Sequence, residues 1–256
     1  MIPERGVSYY GVAYPDRAAR DYAEMVDHGC NAVLLAVSEF DWWFWRKNVV
    51  RLIDVAKDHG LTAYVDLWGW GKTLAGEPPS LFLMRSLDGR QRAASGKTYH
   101  AMCLNYAPFR EHLRSSVTEV ITETSVDGLF WDEPHYANWH DPDWACTCPI
   151  CGALYRDIHG EDIPRELTPE VVEFREDRAV EAGLHMLSTL MRLQGDRFRF
   201  NEPTYDERRH FDLLAGTDRL RLSLGEGVPV EEIVGAWEPG LERFMKVRER
   251  HLLYGE

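Results

Sequence analysis

The sequence predicts an α/β fold, a (β/α) barrel of the TIM type short of its last strands. Three observations lead there. Apolar runs alternate with amphipathic stretches, which means a parallel sheet with helices outside, as in a (β/α) barrel or a doubly wound sheet. The run at 31–38 is almost wholly apolar, as a parallel strand buried on both faces requires. The chain has 256 residues. A full eight-unit barrel takes about 250, and two long excursions leave room for about six units.

The elements follow in order. Residues 7–13 read as strand one. Asp16 caps the next helix, whose apolar positions Ala18, Tyr22 and Met25 share a face and which ends near Gly29. Residues 31–38 are strand two. The helix after it carries Val49, Ile53 and Ala56 and stops at Gly60. Residues 61–68 are strand three. A long aromatic, Gly/Pro-rich loop fills 69–98, and Pro108 opens a helix with Leu113, Val117 and Val120 inward.

Strand four is 126–132, followed by a second excursion at 134–169. Then come a helix with Val180, Leu184, Leu187 and Met191, strand five at 198–201 and strand six at 219–224. The remainder reads as helix interrupted by Pro239-Gly240, unless 252–254 hides a further strand. The whole is expected to be one domain, 1–256, with 134–169 as a Cys-rich loop insertion. With the last two βα units missing, the strand-one and strand-six edges need cover. Leu241, Phe244, Met245 and Val247, or a second copy in a homo-oligomer, are the expected cover.

Composition narrows the partners. A net charge of −13 without a basic block argues against nucleic acid and anionic membrane surfaces. The longest purely apolar run, 32–37, is far too short to cross a bilayer. The first residues carry no apolar stretch of the signal-peptide type, so a cytoplasmic protein is expected.

Cysteine usage points to a metal. Three of the five cysteines, Cys146, Cys148 and Cys151, fall within six residues. On a tight turn, positions i, i+2 and i+5 can aim three sulfurs at one ion. Cys103 supplies a fourth thiolate for a closed structural site, with His100 and His140 as alternative fourth ligands. Cys30, opening a buried strand, reads as a small core residue.

In parallel α/β folds the active site lies at the C-terminal ends of the strands. Those ends carry Tyr14, Glu39, Asp66 with Trp68 and Trp70, Asp132-Glu133, Asn201-Glu202 and Glu226. Paired carboxylates beside flat aromatic rings suit carbohydrate chemistry, acids for glycosidic cleavage and rings for the apolar faces of sugars. Glu133 leads because buried strand precedes it and Pro134 fixes the turn after it. His135 and His140 could line the same pocket. The Trp42-Trp43-Trp45 group fits helix packing better than sugar binding. Gly69-Trp70-Gly71-Lys72-Thr73 looks like the end of a phosphate-binding loop, but Asp66 stands where the first glycine is required, and an acid repels phosphate.

Residues 10–70 and 99–155 resemble the catalytic barrel of the family 42 glycoside hydrolases, the zinc-bearing β-galactosidases. The likeness rests on Glu39-Phe40 ending strand two, on Tyr99-His100-Ala101-Met102-Cys103 followed by Phe109-Arg110-Glu111-His112, and on Asp132-Glu133 upstream of Cys-x-Cys-x-x-Cys-x-x-x-Tyr. The resemblance implies a structural zinc on Cys103, Cys146, Cys148 and Cys151. It also implies that Glu133 is the general acid/base, although Asp132 replaces the family's Asn. The family's nucleophile ends strand seven, and no matching segment remains after Leu224. Glu202 is then the expected second carboxylate, ahead of Asp66 and Glu39, with Asp132 adjoining. Tyr14, Glu39, Asp66, Trp68, Trp70, His135 and Asn201 are the expected substrate contacts. The leading expectation is a glycoside hydrolase-like enzyme. The alternative is a non-catalytic carbohydrate-binding protein that kept the pocket and the zinc, and a zinc hydrolase or redox protein stands third.

Overall fold

A computed structural model describes residues 4–73, 76–132, 136–137, 143–200, 209–237, 239–240, 243 and 246–247. The chain divides into two compact units, Met1–Ala179 and Val180–Glu256. Among the described residues no helix is long and apolar enough to cross a membrane.

The first unit opens with the expected alternation. β1 (Gly6–Tyr9) leads to α1 (Pro15–Asp27), and β2 (Ala32–Val37) to α2 (Glu39–Phe44) and α3 (Arg46–Asp58). β3 (Thr62–Leu67) comes next. Asp16 is not the cap of α1. The N-cap is Tyr14, with no side-chain cap bond, and Asp16 sits in the first turn, where a negative charge favours the helix N-terminus. α2 has a capping box instead: Ser38 Oγ accepts from Asp41 N, and Asp41 accepts from Ser38 N.

The first excursion is partly ordered as α4 (Leu81–Arg85) and an antiparallel hairpin, β4 (Arg90–Arg92) and β5 (Thr98–Met102). α5 (Ala107–Glu123) buries Phe109, Leu113, Val117 and Val120, and β6 (Gly128–Phe130) follows it. The second excursion carries α6 (Pro149–His159) and leads into α7 (Pro169–Gln194), inside which the boundary between the units falls.

The parallel sheet has the order β1-β2-β3-β6. Its two faces differ. Val33, Leu35, Val37, Ala63, Val65 and Leu67 are buried, and α3 packs on β3 and α1. The opposite face pairs Ser8 with Leu34 and Tyr64, and Asp66 with Ala36 and Phe130. Phe130 is 50% exposed there. The apolar run of β2 therefore covers one closed face and one half-open one, not two closed ones.

The second half of the chain overturns the strand count. Residues 219–224 are not a strand but most of α9 (Arg219–Gly225). Leu220, Leu222 and Leu224 alternate like a strand, yet Leu220 and Leu224 are also i and i+4 on a helix, and both join one apolar cluster while Leu222 is 46% exposed. Residues 198–200 are irregular, and 201 lies outside the described residues. Among the described residues the parallel sheet thus has four strands and shows no barrel closure. The expected covering residues Leu241, Phe244 and Met245, and the tail at 252–254, also lie outside them, while Val247 is exposed.

The second unit is helical where described. The C-terminal part of α7, α8 (His210–Ala215), α9 and α10 (Val230–Gly235) bury Leu184, Leu224, Val230 and Ile233 together, with Leu187, Phe211 and Trp237 around them.

Truncating Ile53, fully buried in α3, should cost about 2–5 kcal/mol as Ile53→Ala. Leu222→Ala should stay within about 0.5 kcal/mol. Urea denaturation of both variants checks the helical assignment of 219–224, because a buried strand there would make Leu222 equally costly.

Candidate functional site

The C-terminal end of the sheet is organised around a buried carboxylate. Glu39 opens α2, and its Oε1 accepts from Gly71 N at 2.9 Å, while Oε2 accepts from Phe82 N at 2.7 Å. Ser80 Oγ donates to it at 3.0 Å. His112 Nε2 lies 3.7 Å away, with its ring stacked on Phe82 at 4.6 Å. Burial works against the charge of Glu39, but His112 and the backbone N–H groups of Phe82 and Gly71 prevail and hold its carboxyl below the usual range. Gly71 has φ +75°, and a Cβ there would collide with the Phe109 ring, so only glycine lets that N–H reach Glu39.

Beside this anchor stands an acid-rich group. Asp66, near the end of β3, is 1% exposed. Its Oδ2 accepts from Tyr10 Oη at 3.4 Å, and its Oδ1 is buried with no hydrogen-bond partner among the described residues. Burial first, then the nearby Asp132 charge, push its pKa up to about 6 against the smaller pull of Tyr10 and Lys72. Lys72 Nζ is 3.5 Å from Glu77 Oε1 and 3.8 Å from Asp132 Oδ2. Backbone pairing sets its place: Lys72 bridges to Ala101 of β5, Thr73 N donates to His100 O, and Met102 N donates to Gly71 O. The Tyr10 ring meets Trp68 edge-on at 5.0 Å.

The structure brings together Asp66, Asp132 and Trp68 of the expected site residues. Glu39 adjoins them as a carboxylate already surrounded by donors. Trp70 is buried, with Nε1 donating to Val37 O at 2.7 Å, and so offers no open ring face. Tyr14 is exposed and lies against Trp45, so the tyrosine that meets Asp66 is Tyr10. Trp42 is buried while Trp43 is exposed. Glu133, His135, His140, Asn201 and Glu202 lie outside the described residues. Glu77 and Ser80 escaped the sequence reading, while Lys72 and His112 entered it only as parts of motifs, without a role at this site. The Gly69–Thr73 segment was the one signal for Lys72, and it pointed to phosphate.

The cysteines converge as expected. Sγ atoms of Cys103, Cys146, Cys148 and Cys151 all lie within 4.8 Å of one another, and all four residues are buried. Tetrahedral coordination with bonds of about 2.3 Å would space four sulfurs about 3.8 Å apart, so the cluster fits a metal ion. Cys103 follows β5, its N–H held by Gly89 O at 2.7 Å. Cys148 is the N-cap of α6, and Cys151 lies in that helix's first turn. Asn105 Nδ2 donates to Cys151 Sγ at 3.3 Å, and Arg92 N to Cys146 Sγ at 3.5 Å. Hydrogen bonds from Cys103, then Cys146 and Cys151, lower the Cys148 pKa, while the Cys103 and Cys151 pKa values are raised.

Comparison with known proteins finds likeness over part of the chain. Residues 157–254 match the family model described as exo-β-N-acetylmuramidase NamZ, C-terminal. The peptidoglycan β-N-acetylmuramidase NamZ of Bacillus subtilis (strain 168) is 33% identical over 76 residues, 30% of this chain and 17% of that protein. The chain thus spans under a fifth of that relative's length in the match. Among solved structures, the AHE enzyme from Alicyclobacillus herbarius has a TM-score of 0.40 at 11% identity, covering 70% of this chain and 35% of that one. The β-glycosidase BGL167 has a TM-score of 0.41 at 13%, covering 71% and 43%. The β-glucosidase 1317 has 0.40 at 15%, covering 72% and 44%. These structural likenesses are too weak to fix the fold, and the sequence matches do not single out family 42.

A carboxyl whose pKa is higher folded than unfolded keeps its proton longer in the folded state, so stability falls as pH rises between about 4 and 6. Asp66→Asn removes that loss. Relative to the parent it should gain on the order of 2–3 kcal/mol between pH 4 and pH 7. Urea unfolding across that range reads the difference, and a flat difference curve counts against the raised pKa.

Proposed function

We propose that this chain is a glycoside hydrolase-like protein with Glu133 as its general acid/base. The match of residues 157–254 to a muramidase family carries the reading, and the gathering of Asp66 and Asp132 beside Trp68 and Tyr10 supports it. In this reading Glu133 gives its proton to the leaving sugar oxygen as the glycosidic bond breaks. A second carboxylate either bonds to the anomeric carbon, to be displaced later by water, or takes the proton of a water that attacks that carbon directly. Asp132 and Asp66 are the described carboxylates that would complete the pair, and Trp68 offers the ring. Lys72 Nζ stands 3.8 Å from Asp132 Oδ2, whereas burial raises the Asp66 pKa to about 6. The finer placement, a truncated TIM-type barrel of family 42 kind, belongs to the same proposal.

One observation favours a second reading, a carbohydrate-binding protein without turnover. The family match falls on the C-terminal part of the muramidase rather than on a whole enzyme. Turnover of aryl glycosides separates the two. Glu133→Gln should abolish hydrolysis of glycosides with poor leaving groups and spare activated aryl glycosides, which need little protonation. Equal loss on both substrates, or loss on neither, removes Glu133 from the role.

The tetrathiolate cluster is proposed to hold one structural zinc on Cys103, Cys146, Cys148 and Cys151. When bound, the ion supplies a cross-link between the β4–β5 hairpin and the loop that opens α6, not a reaction centre, since four thiolates leave no open position. Cys148→Ser should lose the metal and melt well below the parent, because metal affinity is folding free energy here. Elemental analysis with thermal denaturation checks both, and a zinc-free parent with freely titratable thiols overturns the assignment.

A further inference from the structure

Arg175 is a buried cation with no ion pair among the described residues. It lies in the first half of α7, is 7% exposed, and its Nε has no hydrogen-bond partner among those residues. The guanidinium carbon stands 5.5 Å from the ring centroid of Tyr136 and 5.5 Å from that of Trp144. Tyr136 borders the thiol cluster, and Trp144 lies close to it in sequence. Trp144 is two residues before Cys146, and Tyr136 Oη accepts from the same Asn105 amide that donates to Cys151 Sγ. Burial pulls the Arg175 pKa down, while Tyr136, Cys146, Glu176 and Cys151 act in the opposite direction.

A cation buried without a counter-charge is strongly unfavourable, and two ring faces offset only part of that. The missing charge is next door. Four thiolates around a divalent ion bear a net charge of about −2. The same half of α7 already packs on the Cys-rich loop, with Phe174 edge-on to Tyr155 at 5.3 Å and Val171 fully buried. We infer that Arg175 is the counter-cation of the metal-loaded Cys103–Cys146–Cys148–Cys151 centre, a positioning residue that locks α7 to the loop when the metal is bound. The inference rests on the zinc reading and adds a residue outside the ligand set, and outside its sequence motif, to the centre.

Zinc affinity by competition with a chromophoric chelator tests it, on the parent, Arg175→Met and Arg175→Lys. Arg175→Met keeps the apolar stem between the rings and should bind zinc about 10- to 100-fold more weakly, the range for outer partners of metal ligands. Arg175→Lys keeps the charge and should recover most of that loss. Without metal the Met variant should melt no lower than the parent, since it removes an unpaired buried charge. A packing role alone would lower both melting points and leave Lys no better than Met. The inference is overturned if Arg175→Met stays within about threefold of the parent, if Arg175→Lys falls as far as Arg175→Met, or if the Met variant does not fold with zinc present. A parent that binds no zinc sinks the zinc reading first, and this inference with it.

Discussion

Burying a carboxylate is costly unless its charge is met on every side, and Glu39 meets that condition by drawing three hydrogen-bond donors and one nearby imidazole from segments distant in sequence. Gly71 and Ser80 come from the loop after β3, Phe82 from the start of α4, and His112 from α5. The anchor fixes where the loop after β3 turns, so it also fixes Lys72, one residue beyond Gly71. Lys72 in turn stands 3.8 Å from Asp132 and pulls weakly against the rise in the Asp66 pKa. An acid that reads from the sequence as a substrate contact is, in the fold, held by hydrogen bonds from Gly71, Ser80 and Phe82.

The β4–β5 hairpin links this end of the sheet to the cysteine cluster. Its β5 strand bridges Lys72 through Ala101 and leads directly into Cys103. Its β4 side receives the Cys-rich loop: Ala93 bridges Ala145, Thr147 N donates to Arg92 O, and Arg92 N donates to Cys146 Sγ. Short backbone ladders of this kind contribute little alone, since each hydrogen bond replaces one to water. Four buried sulfurs converging on one point add a constraint that a metal can make strong. The hairpin thus has the thiol cluster at one side and, at Ala101, the bridge to Lys72.

Asp66 and Asp132 show how the site divides similar groups. Lys72 lies within ion-pair distance of Asp132, while Asp66 is enclosed, with one oxygen on Tyr10 and the other without a partner among the described residues. Low dielectric raises the cost of a second charge beside the first. Two carboxylates of similar intrinsic acidity thereby meet different surroundings, and burial raises the pKa of the enclosed one, Asp66, to about 6.

The sequence by itself determined β1 to β3, the helices around Ile53 and Val117, and the grouping of Cys146, Cys148 and Cys151, because each is written in local periodicity or in tight spacing, whereas the fold selects Cys103 over His100 as the fourth member. It also placed Asp66 at a strand end. It could not decide between strand and helix at 219–224, where alternating leucines satisfy both periods and only packing against Leu184, Val230 and Ile233 selects the helix. Nor could it show that Glu39 is enclosed, that Tyr10 rather than Tyr14 meets Asp66, or that Lys72 and Arg175 are buried cations beside the acids and the sulfurs. Those roles arise from contacts between residues tens of positions apart, and the energy of a buried charge depends on the neighbours that only the folded chain supplies.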